Sequence, residues 1–223
     1  MNPHDTLLLF DIDGTLLRSS RLHSTILVSA VEHIYGTKIS HLTLVTKGKT
    51  DTQIAMEYLD LAGVSVEEFE QKREEYVQHA ANLFLAAVTA TDIEVIDGVR
   101  ECLELVTELG YRVGLLTGNI EAIAWKKMDL GGLRQYFSLG GFGSESTQRY
   151  RLVEFAERRF EKLYGDRPKR RVLIGDTPRD VAAALESGSD IVGVATGHFS
   201  SADLHAAGAS TVIPNLRKLV DVL

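Results

Sequence analysis

The chain has 223 residues, 44% hydrophobic and 25% charged, with 31 acidic against 24 basic side chains and a formal net charge of -7. This is a globular balance, with apolar material for one sizeable core and a small inserted domain. The interspersed charges provide no basic field for nucleic acid or an anionic membrane surface. Cys102 is the single cysteine, which excludes an intrachain disulfide framework and points to simple helix packing in "VRECLELV".

No basic, cleavable leader opens the sequence, and no apolar run approaches the roughly 20 residues of a bilayer span, so cytoplasmic residence is the expectation. The first element is the apolar run "TLLLF" before Asp11, which reads as a buried parallel strand. Residues 18–90 then carry helical apolar spacing (Leu22, Ile26 and Ile34; Ile54, Tyr58 and Leu59; Phe69, Tyr76, Ala80 and Phe84) with no convincing strand. An all-helical insertion is expected there, with Gly63 as a helix stop and "VIDG" at 95–98 as the return to the core.

Beyond it, Val99, Leu103 and Val106 mark a helix, "RVGLL" a strand before Thr117, and Leu152, Phe155, Phe160 and Leu163 another helical stripe. "RVLI" before Gly175 and "DIVGVA" before Thr196 are two further strands, separated by the helix "DVAAALESG". "STVI" and "NLRKLVDVL" suggest an edge strand and a last helix. Strands alternating with helices define an α/β fold, a doubly wound parallel sheet formed by residues 1–17 and 91–223, with 18–90 inserted as a helical domain.

In such a sheet the ligand crevice lies outside the carboxyl ends of the strands. Asp11 and Asp13 follow the first strand, with Gly14 permitting a sharp turn, and Asp176 and Asp180 follow another in "IGDTPRD". Four carboxylates in one crevice raise each other's pKa unless a cation neutralises them, and an all-oxygen cluster suits magnesium. The seven histidines show no zinc-ligand spacing. "LLTGN" adds the Thr117 hydroxyl and the backbone amides of Gly118 and Asn119 at a helix start, where a phosphate could bind. Carboxylates, a metal and anion donors are what phosphoryl transfer requires.

"FDIDGTL", "LLTGN" and "IGDTPRD", in this order, closely resemble motifs one, two and four of the haloacid dehalogenase superfamily of aspartate-nucleophile phosphatases. The helical insertion is similar to the family's cap, and the nearest branch is phosphoglycolate-phosphatase-like. The resemblance implies that Asp11 is the nucleophile and Asp13 the general acid and base. It implies magnesium held by the Asp11 carboxylate, the Asp13 backbone carbonyl and Asp176, with Asp180 in support. Thr117 would bind the transferring phosphoryl group of a small phosphorylated metabolite.

Motif three departs from the family pattern: "GSESTQRYRLVEF" has no lysine. Arg149 is the first candidate for the missing positive charge, Arg151 the second and Lys127, on a helix expected to run away from the strand ends, the third; arginine can clamp a carboxylate or phosphate bidentately. In "GKTDTQ", Thr50 and Gln53 match a capping box, while the resemblance places Lys49, Thr50 and Asp51 where a cap reads the substrate. The basic run "RPKRR" at 167–171 reads as an exposed loop. The alternatives are a phosphosugar mutase of the same superfamily and a non-catalytic or receiver-type phosphate-binding regulator.

Overall fold

The computed structural model describes residues 3–223. The leucine-rich run forms β1 (Thr6–Phe10), and Leu17–Ser19 forms a short β2. Three helices follow, α1 (Leu22–Tyr35), α2 (Asp51–Leu61) and α3 (Val66–Ala87), then β3 (Ile93–Val95) and α4 (Val99–Glu108). The chain continues through β4 (Arg112–Thr117), α5 (Glu121–Leu130), β5 (Gly140–Phe142), α6 (Leu152–Tyr164), β6 (Arg170–Gly175), α7 (Pro178–Ser187), β7 (Asp190–Val194), α8 (Ser201–Ala206) and β8 (Thr211–Ile213).

Six strands make one parallel sheet in the order β5-β4-β1-β6-β7-β8. β4 and β5 are added on one side of β1 and β6, β7 and β8 on the other, so the strand order reverses at β1 and opens a crevice at the strand ends. Side chains of β1 alternate between the two faces as a pleated strand requires. Leu8 and Phe10 pack with Val99, Leu103 and Val106 of α4, and Leu7 and Leu9 with Leu152, Val153, Ala156 and Phe160 of α6. The expected α6 stripe is thereby corrected: Phe155 is not in the core and Leu163 is exposed, because Val153 and Ala156 occupy the sheet-facing positions. Cys102 is buried in α4, as helix packing requires.

Helices α1–α3 bury an apolar core of their own, with Ile26, Val31, Ile54, Leu59, Phe69, Tyr76 and Phe84 at its centre. Ile120 and Ile123, at the start of α5, join that cluster and tie the three helices to the sheet domain. Polar caps set the helix starts: Thr50 accepts the Gln53 amide and Ser65 the Glu68 amide.

Three short strands differ from the sequence expectation. β2 and β3, flanking the three helices in the chain, form an antiparallel ribbon, and β5 is one edge of the sheet. Gly140 and Gly141 conceal β5 as a strand, and Gly141 is required there because a Cβ would lie 2.0 Å from the Leu152 carbonyl oxygen. The expected last helix is instead two 3₁₀ turns, Leu216–Lys218 and Val220–Val222. Leu216 and Leu219 are both buried, and their three-residue spacing aligns them on one side of a 3₁₀ turn. Among the described residues no helix is long and apolar enough to cross a membrane.

Leu9→Ala, in the completely buried middle of β1, is expected to lower the free energy of unfolding in urea by about 2–5 kcal/mol. Leu163→Ala, on the solvent side of α6, should change it by no more than roughly 0.5 kcal/mol.

Candidate active site

β4, β1 and β6 are neighbours, so their carboxyl ends deliver Thr117, Asp11 and Asp176 to one place. A cavity of about 500 Å³ opens there, lined on the sheet side by Asp11, Asp13, Thr117 and Asp176 and on the helical side by His23, Lys49 and Asp51.

Asp11, Asp176 and Asp180 are buried, with one oxygen of each within 4.8 Å of the others. Burial raises the Asp11 carboxyl well above the usual carboxylate range, with the neighbouring charges of Asp180 and Asp13 adding to the rise and Arg149 opposing it. Asp176 is raised in the same way, by burial and then by the charges of Asp11 and Asp180. Arg149 is the cation in their midst: one guanidinium nitrogen lies 2.6 Å from Asp11 Oδ1 and 2.6 Å from Asp180 Oδ1. The acids in turn hold Arg149 firmly protonated despite its burial. One guanidinium against three carboxylates leaves a deficit of positive charge, and an oxygen-only donor set is one that a hard divalent cation would satisfy.

Asp180 also serves its helix. Its Oδ2 accepts the Thr177 amide at 3.0 Å and the Thr177 hydroxyl at 2.7 Å, closing a capping box at the start of α7. The same side chain therefore starts α7 and binds Arg149. Asp176 accepts the Thr15 hydroxyl at 3.2 Å. Its other oxygen occupies space that only glycines can leave: a Cβ on Gly14 would stand 2.3 Å from Asp176 Oδ2, and one on Gly197 1.7 Å from it.

The expected crevice of four carboxylates is divided. Asp13 turns away from the other three, because its oxygens accept from Lys127 Nζ at 2.8 and 2.6 Å, from Ser19 Oγ at 2.7 Å and from Asn119 Nδ2 at 3.0 Å. Burial works to raise Asp13, but the Lys127 ammonium and the His23 ring, with the hydrogen bonds from Lys127 and Ser19, together outweigh it and hold the carboxyl well below the usual range. Lys127 therefore corrects the expectation of a helix running away from the site. α5 does leave the strand ends, but its extended lysine side chain reaches back beneath them. Arg151 is exposed against Tyr150 and far from this chemistry, since the 3₁₀ turn at Arg149–Arg151 swings it outward.

Thr117 accepts the Asn119 amide at 3.2 Å, which leaves its hydroxyl proton as a donor towards the cavity. This corrects the expected role of Asn119: its backbone N–H is engaged within the loop, and its side chain instead holds Asp13. Gly118 lines the cavity and permits close approach of the helical unit, since a Cβ there would lie 2.3 Å from the Lys49 carbonyl oxygen.

The three expected substrate readers separate. Lys49 lines the cavity, paired with Glu57. Thr50 is fully buried as the α2 cap and does not face the cavity. Asp51 accepts the Ile120 amide at 2.9 Å and faces His23 Nε2 at 3.2 Å, so it joins the helical unit to the core. His23, Ser19, Thr15 and Gly197 were not singled out in the sequence. A lysine among Ile123, Ala124 and Met128 on the buried face of α5 was the readable sign that Lys127 has a special environment.

Residues 8–194 match the family described as haloacid dehalogenase-like hydrolase. The chain belongs to this family. It is 25% identical to a phosphoglycolate phosphatase of Nitrosococcus oceani, an alignment covering 97% of this chain and 96% of the relative. It is 26% identical to a phosphoglycolate phosphatase of Pseudomonas fluorescens, covering 96% and 78%. A crystal structure described as a predicted phosphatase from Clostridium acetobutylicum superposes with a TM-score of 0.71 at 18% identity, over 97% of this chain and 99% of that one. The core of the family fold is thus the parallel sheet whose central strand ends at Asp11.

Gly197→Ala places a methyl group where Asp176 Oδ2 now lies, and is expected to weaken divalent-cation binding by about 10-fold or more. Isothermal titration of the purified protein with magnesium, compared with the unsubstituted chain, measures this.

Proposed function

We propose that the chain is a magnesium-dependent phosphomonoesterase that hydrolyses small phosphorylated metabolites, phosphoglycolate among them, through an aspartyl phosphate on Asp11. The observation that carries this reading is the setting of Asp11: it ends the central strand, 2.6 Å from Arg149, beside Asp176 and Asp180 and across from the Thr117 hydroxyl. The two curated relatives named above act, by name, on phosphoglycolate.

A carboxylate oxygen of Asp11 attacks phosphorus as the ester P–O bond breaks, and Asp13, which Lys127 keeps ionised in the resting site and which takes up a proton as the phosphate monoester monoanion binds, passes that proton to the leaving alkoxide. Water then attacks the phosphorus of the acyl phosphate and gives its proton to Asp13. Inorganic phosphate leaves, and both aspartates return to their starting states. Thr117 donates its hydroxyl to a phosphoryl oxygen. Arg149 has a buried Nε with no protein acceptor and lines the cavity, so it can add a donor to the same group while still holding Asp11.

Asp11, Asp176 and the Asp13 backbone carbonyl, with Asp180 in support, would hold magnesium, which when bound draws charge from the phosphoryl oxygens and offsets the carboxylates. Residues 18–90 act as a cap over the cavity, excluding bulk water while the acyl phosphate exists. Membership of the family sets aside the receiver alternative.

Asp11→Asn should abolish turnover of a panel of phosphorylated metabolites while leaving the thermal transition intact, because an amide does not attack phosphorus. Near wild-type turnover in that variant would remove Asp11 as the nucleophile. Arg149→Ala should lower kcat by about 10²-fold or more, the scale of one preorganised transition-state contact. Arg149→Lys should recover part of the loss, and Arg151→Ala should leave steady-state rates nearly unchanged.

A further inference from the structure

Lys127 is completely buried, yet α5 otherwise turns Ile123, Ala124 and Met128 inward. An apolar side chain would suit that face, and a buried ion pair is seldom a net source of stability over a hydrophobic one. The lysine therefore calls for an explanation other than packing.

An ammonium has three protons to donate and accepts nothing. Lys127 directs them to Asp13 Oδ1 at 2.8 Å, Asp13 Oδ2 at 2.6 Å and His23 Nδ1 at 3.3 Å. Because the ammonium only donates, His23 Nδ1 must present its lone pair. The imidazole proton is then on Nε2, which faces Asp51 Oδ2 at 3.2 Å. That Asp51 oxygen also accepts the Ile120 amide at 2.9 Å, and the Asp51 amide donates to the Gly118 carbonyl at 2.7 Å. Tyr76 of α3 donates its hydroxyl to the Asp51 carbonyl at 3.2 Å. A continuous set of hydrogen bonds thus runs from Asp13 through Lys127 into α1 and α2, and returns to the loop that carries Thr117.

We propose that Lys127, held by His23 of the helical unit, is the positioning residue for Asp13, so that the seating of α1 and α2 on the core is transmitted to the proton-transferring carboxylate. The inference rests on Asp13 being the general acid and base. Asp13 side-chain exposure is 36%, enough for a leaving group and water to reach it. Ser19, in the β2 ribbon, and Asn119, in the loop after β4, hold its two oxygens, and Lys127 spans both. The contact with His23 is the one that depends on the helical unit. When that unit shifts, Lys127 loses its third acceptor, and the carboxylate loses the alignment that proton transfer requires.

The test compares two esters with magnesium present: p-nitrophenyl phosphate, whose leaving group needs little protonation, and 2-phosphoglycolate, whose alkoxide needs it. Lys127→Met should lower kcat/KM, which reports the leaving-group-dependent transfer to Asp11 and not the later hydrolysis common to both esters, by about 10²-fold for the alkyl ester, the lower end of what a positioned acid contributes, and by much less for the aryl ester. His23→Leu should shift the two esters in the same direction. His23→Gln, whose amide can accept from Lys127 and donate to Asp51, should recover part of the loss. In an Asp13→Asn background, Lys127→Met should add no further loss.

Equal losses on both esters, or additive losses in the Asp13→Asn background, would overturn the proposal. Should Lys127→Met fail to fold, as judged by circular dichroism, His23→Leu and its rescue by glutamine decide the question from the helical side. If Asp13→Asn itself shows no difference between the esters, the acid assignment falls and the inference with it. If Asp13→Asn shows the difference and Lys127→Met or His23→Leu does not, the inference alone is overturned.

Discussion

Three carboxylates crowded beneath the end of a parallel sheet are the constraint on which the rest of this structure depends. Asp11, Asp176 and Asp180 are buried within 4.8 Å of one another, and burial and mutual repulsion both favour their neutral forms. Arg149 bridges two of them and relieves only part of the repulsion. Much of the surrounding architecture keeps this arrangement in place. Thr15 braces Asp176, the capping box of α7 orients Asp180, and Gly14 and Gly197 leave the volume that Asp176 occupies. Carboxyls shifted this far and gathered in a cleft are what mark the cluster as the candidate site.

A second charge arrangement stands apart from the first. Asp13 is two residues from Asp11 but belongs to a different electrostatic environment, held low by Lys127 while Asp11 is driven upward. The two carboxylates, two residues apart, therefore answer to different partners, Asp11 to Arg149 and Asp180, and Asp13 to Lys127. The fold achieves this separation by approaching the same loop from opposite sides: Arg149 enters from the 3₁₀ turn before α6, and Lys127 from the buried face of α5.

The helical unit is connected to both environments. Asp51 docks on the loop that follows β4, Thr52 donates to the Gly143 carbonyl at 2.6 Å, and His23 reaches Lys127. α2 therefore begins on core backbone, and its starting residues serve mainly as a joint. This explains why Thr50 and Asp51 are buried although a cap loop next to a substrate cavity would be expected to expose them.

The strand ends, the glycine turns and the acidic residues that follow them were legible in the sequence. β1 is buried throughout and β4, β6 and β7 are buried but for their first one or two residues, so each reads locally as an apolar run; Asp11 and Asp13 follow β1, Thr117 closes β4 and Asp176 follows β6. The same locality identified α2 through its Thr50 cap and α4 through Val99, Leu103 and Val106. Only the tertiary structure decided which cation faces which carboxylate. Arg149, read as the first candidate, and Arg151, the second, share one 3₁₀ turn, which turns Arg149 inward and leaves Arg151 exposed. Lys127 lies 114 positions from Asp13, and His23 is 28 from Asp51, distances over which no periodic pattern carries information. The sequence by itself determined five of the sheet's six strands, the order along the chain of the chemistry-bearing loops and the kind of reaction they suit, because those follow from short-range sterics and burial. The pairing of charges was left to the fold, because a Coulomb interaction depends on distance in space and is blind to distance along the chain.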